Sequence, residues 1–465
     1  MPLRTDRLLL AALLLLNLVL KCSWLGLDPL FNDEPFTVYW SQQPWKELWA
    51  MLATENNPPL YFLLMKAWST VVPFEEAWLR LPAAVFSSLV VLPLYRIALF
   101  TGGRRAALVA TLLFTCTNYH YGFAHEVRAY ALFTLLTVTS AWLLVRSCRA
   151  GVRYTTLLLA VVNVLLVYTH FFGWLVIGLQ GVLVLLLPEL RGARRSVGIA
   201  AAAALVSYLP YLPLFAARMG QSVGQGTWLE PPQVEELYNM LWRWSNQPVL
   251  VVGFIVVIAV ALWRTKAKDL GLRIGLLWAF LPLFGLFLVS FAVPVFLDRY
   301  LVFGAPGFAL AVATALGQVS DDRRVTTAIP VAAVLGMAFT FHPWQGKGRD
   351  PSKAVEQALR WQEGEHPVLI APGYFALTYA WHLDKELLRG PKPLELALIE
   401  RNVFRVDHPD HFVALESDEE AVILVDAASR ITDPEQRTKG HLRDHWPRVD
   451  SVEVDHKLWV YRFRR

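Results

Sequence analysis

Charge is what this chain has least of. Asp, Glu, Lys and Arg make up 17% of its 465 residues, while 55% are hydrophobic; a soluble domain carries about 25% charged residues. A single soluble globule is excluded. Cysteine is almost missing as well. Cys22, Cys116 and Cys148 all lie in or at the ends of apolar segments, so no disulfide framework is indicated. Cys22 follows Lys21 rather than a small residue, which argues against lipoprotein cleavage and for a retained first segment. No internal repeat or low-complexity tract is visible, which disfavours transporters built from duplicated halves. The net charge of +5 does not imply a nucleic-acid partner, because many basic residues sit in short loops between apolar runs.

What the chain does have is apolar length. With 18 Trp and 26 Phe it reads as a polytopic membrane protein with one soluble part. A membrane-spanning helix needs roughly 20 apolar residues. On that basis eleven spans are expected, at 8–27, 78–100, 104–121, 126–146, 153–170, 171–187, 196–216, 247–264, 270–291, 300–317 and 325–341. Residues 57–72 are short and open on Pro58-Pro59, which favours a re-entrant or interfacial helix. The Thr169–Gly173 stretch reads as a tight turn between two spans. Arg4, Arg7, Arg96, Arg104, Arg105, Arg146, Arg149, Arg153, Arg191, Arg194, Arg195, Arg264, Lys266, Lys268, Arg323 and Arg324 fall in loops of one side. That side is expected to be cytoplasmic, with the N-terminus, while the C-terminus lies outside.

Composition changes near His342. The sequence is therefore divided into a transmembrane domain, 1–341, whose outer loop 28–77 carries the acidic pair Asp33-Glu34, and a soluble extracytoplasmic α/β domain, 342–465. In the second, Pro351–Gln362 reads as an amphipathic helix. Val368–Ala371 and Ala421–Val425 read as buried strands, and Val449–Val454 and Leu458–Phe463 as alternating strands around a turn. Tyr374-Phe375 is expected to belong to a lid or acceptor platform.

Four features gather on the outer face. Asp33-Glu34 follows the first span. Glu55-Asn56-Asn57-Pro58-Pro59-Leu60-Tyr61 has a backbone stiffened by two prolines. His125-Glu126-Val127-Arg128-Ala129-Tyr130 opens a span, and its spacing places Glu126 and Tyr130 on one helical face. Asp298-Arg299-Tyr300 precedes another span. Ionisable groups at membrane depth are costly, so each is a site candidate. The plain alternative is an acid–arginine pair tying helix ends together, for Glu126 with Arg128 and for Asp298 with Arg299. A divalent metal among His120, His125, Glu126, His170 and His342 is a weaker reading, because His120 and His125 are poorly spaced for one helix face.

Taken in order, these residues resemble the GT-C glycosyltransferases of the protein O-mannosyltransferase/aminoarabinose transferase type (glycosyltransferase family 39-like). The matching stretches are Asp33-Glu34, Asn57-Pro58-Pro59-Leu60-Tyr61, Arg80-Leu81-Pro82-Ala83, Glu126–Leu132, Tyr168-Thr169-His170-Phe171 and Arg299-Tyr300-Leu301, spread over about the first 300 residues. Many relatives carry His or Lys where this chain has Asn57, which removes a cation or metal ligand from that position.

The resemblance implies a GT-C-like helical membrane fold and an inverting transfer of sugar from a polyprenyl-phosphate donor. The acceptor would be a lipid, glycan or protein at the outer face of the cytoplasmic membrane. An inverting displacement needs a base on the acceptor, and Asp33 is read as that base, with Glu34 as a supporting acid or acceptor-positioning group. Asn57, Tyr61, Arg80, Glu126, Arg128, Tyr130, His170, Arg299 and Tyr300 would bind substrate and lipid phosphate. No cofactor is indicated with certainty, and a divalent metal is the weaker alternative. A polytopic transporter or flippase, and a ligase using a lipid-diphosphate-linked glycan, are the alternatives. Donor turnover separates the first, and the identity of the leaving group the second.

Overall fold

The computed structural model describes residues 4–465 apart from 54, 56, 149–151, 225–228, 364, 365, 391 and 407–418. Asn56 and Arg149, both named above, lie outside the described residues, as does the side chain of Arg4. The chain forms two compact units. The first comprises Met1–Leu25, Trp49–Leu64 and Arg80–Trp344. The second comprises Gly26–Leu48, Met65–Leu79 and Gln345–Arg465. Much of the 28–77 segment, Asp33 and Glu34 included, thus groups with the C-terminal residues.

The first unit is helical. Among the described residues, five helices are long and apolar enough to cross a membrane: Glu76–Thr115, Tyr130–Ser147, Pro248–Thr265, Leu270–Val289 and Asp298–Leu316. Gly173–Leu186 and Pro188–Tyr208, bent by 120° from one another, make a sixth if taken as one span. Arg153–Thr169 and Val325–Phe339 are apolar but shorter. Several expected spans are helical but divided. The kink at Gly103 (φ 79°) falls at the expected boundary between 78–100 and 104–121, and the second of these breaks again before the short helix Asn118–Ala124. The 196–216 stretch is split between Arg194–Tyr208 and Leu212–Gly224. The last turns before Ala305–Leu316 are a 3₁₀ helix, Asp298–Gly304. The proline-led segment after residue 57 carries only Leu60–Trp68 as helix.

Two glycines are dictated by packing. A Cβ on Gly275 would stand 2.5 Å from the backbone nitrogen of Ala311, so Leu270–Val289 and Ala305–Leu316 meet backbone to backbone. Small residues make such close approaches in membranes, where no hydrophobic effect drives helices together. At the tight turn, a Cβ on Gly173 would stand 2.7 Å from the Leu166 carbonyl. The turn lies where the sequence places it, between Val152–Thr169 and Gly173–Leu186, and Gly173 N–H donates to the His170 carbonyl at 2.8 Å.

The second unit is built on a mixed sheet: β1 (Val368–Ala371), β2 (Val403–Arg405), β3 (Ala421–Ala427), β4 (Arg448–Asp455) and β5 (Leu458–Arg464). The order is β2-β1-β3-β5-β4, with β1 parallel to β2 and β3, and β5 antiparallel to β3 and β4. β1 is buried along its whole length and β3 over all but its last residue, which is why both read as continuous apolar runs. Val422, Leu424, Leu442, Trp446 and Phe463 form the core on one face. The amphipathic helix is present as Ser352–Gln362, with Ala354 and Ala358 buried. β2 and the helix Ala376–Leu383 lack a strong periodic signal and were not foreseen.

Residues 26–48 and 65–79 are held within this unit by specific contacts. Lys347 N–H donates to Asp28 at 2.9 Å, and the Arg349 guanidinium lies over the Phe31 ring at 5.7 Å. Trp381 Nε1 donates to Glu76 at 3.1 Å and packs against Phe74 at 5.2 Å. The Arg389 guanidinium lies over the Phe74 ring, 4.7 Å from its centroid.

Candidate active site

In the second unit, Asp33 stands at the N-cap of the helix Glu34–Gln42. Pro35 fits the first turn, where no amide donor is needed, and Glu34 complements the positive end of the helix. The Asp33 side chain does not cap this helix. Its backbone carbonyl accepts from Thr37 N at 3.2 Å and from the Thr37 hydroxyl at 3.3 Å, fixing the residue without engaging the carboxylate in the cap. Glu34 differs in kind. It is 4% exposed, and its carboxylate accepts the Phe31 N–H at 3.4 Å, closing the chain reversal ahead of the helix.

In the first unit, five candidates converge. His170, in the tight turn, sits among rings. It stacks on Phe133 at 4.9 Å and Phe172 at 5.4 Å, and its centroid is 5.6 Å from Tyr300 and 6.1 Å from Tyr130. Phe172 N–H donates to His170 Nδ1 at 3.2 Å, which makes Nδ1 an acceptor and leaves Nε2 to carry the proton. Arg128 and Arg299 are the cations whose charge acts on this ring. Arg299 lies 6.0 Å from the Tyr300 centroid. The charge of two arginines thus acts on a nest of aromatic rings.

The local geometry around Glu126 corrects the sequence reading. The helix begins at Tyr130, and residues 125–129 form turns and bends. Arg128 N–H donates to the Glu126 carbonyl at 2.7 Å, which bends the chain between them. Glu126 and Tyr130 therefore do not share a helical face through i,i+4 spacing. They are related instead through Tyr119, whose phenol feels both, together with Asp298 and Arg243. The pairing of Asp298 is also corrected. Its Oδ2 lies 3.2 Å from Arg243 Nε, while Arg299 contributes only its backbone N–H to Oδ1, at 2.7 Å. The Tyr119 hydroxyl donates to the Asp298 carbonyl. Tyr119 and Arg243 were missed because neither stands in a distinctive local pattern.

Asn57, Tyr61 and Arg80 are placed differently. Asn57 Nδ2 donates to Glu55 at 2.8 Å. Tyr61 is 3% exposed in the short helix Leu60–Trp68. Arg80 is 2% exposed and donates from Nη1 to the Leu25 carbonyl at 2.9 Å. The histidines considered for metal have other partners. His120 Nε2 is 2.8 Å from the Ser87 hydroxyl, and His125 Nε2 is 3.0 Å from the Lys21 carbonyl. Among the described residues no three His, Cys, Asp or Glu side chains converge as a metal site.

The fold has counterparts in solved structures. The apo structure of ArnT from Cupriavidus metallidurans superposes with a TM-score of 0.63 over 98% of both chains, at 14% identity. The chain has the GT-C fold. ArnT bound to undecaprenyl phosphate matches with a TM-score of 0.62 over 99% of this chain and 98% of that one, also at 14% identity. The oligosaccharyltransferase of Archaeoglobus fulgidus, in complex with Zn and sulfate, matches at 0.54 and 12% identity, over 89% of this chain and 68% of its own. No protein-family model matches the sequence, and no curated protein matches it. The GT-C likeness spans the helical unit and the sheet-bearing unit alike, so the C-terminal residues belong to the shared fold.

Proposed function

We propose that this chain is a multi-pass membrane glycosyltransferase that moves a sugar from a polyprenyl-phosphate donor to an acceptor at the outer face of the cytoplasmic membrane. The observation that carries the reading is the pair Arg128 and Arg299 around the ring nest of His170, Tyr130 and Tyr300. Arginine offers a planar fork that matches phosphate oxygens, and aromatic walls suit a lipid chain. A shared GT-C fold, with one counterpart bound to undecaprenyl phosphate, supports the same donor class.

In this reading Asp33 is the base. It takes the proton from the acceptor hydroxyl as that oxygen attacks the anomeric carbon from the face opposite the leaving group. The bond between anomeric carbon and phosphate oxygen breaks, its electron pair leaves with the polyprenyl phosphate, and the sugar inverts. Arg128 and Arg299 meet the charge developing on the phosphate, the electrostatic share of catalysis. Glu34 holds the backbone ahead of Asp33. Asn57, Tyr61, Arg80 and Glu126 serve as substrate-side positions. The residues 342–465 lie outside the cytoplasm, and the N-terminus lies within it.

The test is donor turnover by the purified chain in lipid nanodiscs, given radiolabelled polyprenyl-phosphate sugars and an envelope extract as acceptor. Sugar transfer with release of polyprenyl phosphate is the expected result. Donor movement across the bilayer without release would identify a flippase. Release of a diphosphate would identify the ligase reading.

A further inference from the structure

The helix Arg437–His445 carries no residue of the proposed transfer. It does set His441 and His445 four positions apart, the spacing that brings two side chains onto one helical face. The rings meet there: their centroids are 4.3 Å apart and their planes are tilted by 34°. His445 is exposed and His441 half-buried. Two histidines on one face at this spacing are the pairing by which helical zinc motifs hold their ion.

One of the two rings has a fixed tautomer. His445 Nδ1 lies 2.9 Å from the His441 carbonyl oxygen. A carbonyl only accepts, so Nδ1 carries the proton and Nε2 of the neutral ring keeps its lone pair. Metal-ligating histidines are held in this way, the other ring nitrogen donating to a backbone carbonyl or a carboxylate.

The helix under the pair is braced on several sides. Leu442 and Trp446, each the next residue along, are buried in the core of the sheet. Asp433 accepts the N–H groups of Arg437 and Thr438 at 3.0 and 2.9 Å and closes the start of the helix. Trp446 Nε1 donates to the Glu419 carbonyl at 2.8 Å, and Lys439 forms an ion pair with Asp426. Ligands on a braced helix are in place before the ion arrives.

The donor set selects the ion. Imidazole suits zinc, copper and nickel, whereas magnesium and calcium take oxygen ligands. Arg443 and Asp444, which stand between the two histidines in sequence, offset one another in formal charge. Two nitrogens are fewer than the four ligands of a closed zinc site, so water would complete the coordination. We propose that His441 and His445 together bind one divalent transition-metal ion of the zinc and copper class. The site stands whether or not Asp33 is the base.

The test uses the full chain in nanodiscs, free of any affinity tag, titrated with Cu²⁺, the tightest binder of its series, and separately with Zn²⁺. One Cu²⁺ per chain should bind, with an electron paramagnetic resonance signal split by two imidazole nitrogens, and Mg²⁺ should not compete. His441→Gln and His445→Gln should each weaken Cu²⁺ binding at least about 10-fold, since even a lost supporting contact costs that much, and should leave the signal of one nitrogen. The double variant should lose little beyond either single one, as residues that act as a pair do. Circular dichroism should show all three variants folded. His456→Gln, at an exposed histidine outside the pair, should bind as the wild type does. Zn²⁺ should raise the Tm of the wild type and not of the double variant. Equal Cu²⁺ affinity in the wild type and the folded double variant, or a one-nitrogen signal in the wild type, would overturn the proposal.

Discussion

Nε2 of His382 lies 2.9 Å from the carbonyl oxygen of Leu30, three residues before Asp33. The helix Ala376–Leu383 of the C-terminal sequence therefore holds the backbone that leads to the proposed base, within one compact unit. Burial lowers the His382 pKa below its ordinary 6.5, against the opposing pull of the Leu30 bond and of the Glu76 and Asp350 carboxylates. The native state thus keeps His382 neutral where an unfolded chain would protonate it. Its share of stability is present in full above about pH 6.5 and is lost as pH falls from there through the lowered native value. Thermal melts of the purified chain should show a lower Tm at pH 5 than at pH 8. His382→Gln, which cannot titrate, should reduce that difference. An identical pH dependence in the variant would remove His382 from the account.

Asp33→Asn should leave expression and donor binding near normal and lower transfer by about 100- to 10,000-fold, the usual worth of a general base. Asp33→Glu should recover little, because misplacing the carboxylate by about an ångström costs on the order of 100-fold. Single-turnover transfer with purified protein measures both. Full activity in the asparagine variant would shift the base to Glu34 or Glu126.

Arg128→Ala and Arg299→Ala should each lower kcat/KM for the donor by about 10- to 100-fold, the scale of a lost hydrogen bond to a charged group. Lysine should restore only part, since a point charge lacks the bidentate fork. A lysine variant as good as arginine would mean that charge alone matters at that position.

Gly275→Val should destabilise the helical unit by about 1–3 kcal/mol or more, because the added carbons fall on the Ala311 backbone. Gly253→Ala is the control, since a Cβ there meets nothing within 4 Å. Thermal inactivation in detergent should separate the two. Equal stability would show that the two helices can part at no cost.

A reporter fused after Arg465 should behave as extracytoplasmic, as the alternation of Arg-rich and Arg-poor loops requires. Cytoplasmic behaviour would invert the proposed outer site.

The sequence alone determined the fold class of this protein and offered the candidate positions for its chemistry. Apolar runs mark helices because a bilayer leaves backbone groups no other partner. Val368–Ala371 and Ala421–Val425 announced buried strands because strands covered on both faces need no polar residues. The order of Asp33, Arg128, His170 and Arg299 along the chain pointed to the GT-C resemblance, and the fold bears it out. Tertiary structure decided the rest. That Asp33 folds with the C-terminal sheet depends on contacts such as His382 with Leu30, which join residues 352 positions apart. That Asp298 takes Arg243 rather than its neighbour Arg299 follows from where the 3₁₀ turn aims each side chain. Tyr374 and Phe375 are alike in sequence, and only the turn that carries them, Gly373–Phe375, sends one into solvent and the other into the core. Local patterns report what a segment buries. Which charges meet is set by the path of the backbone between them, and no short window of sequence contains that path.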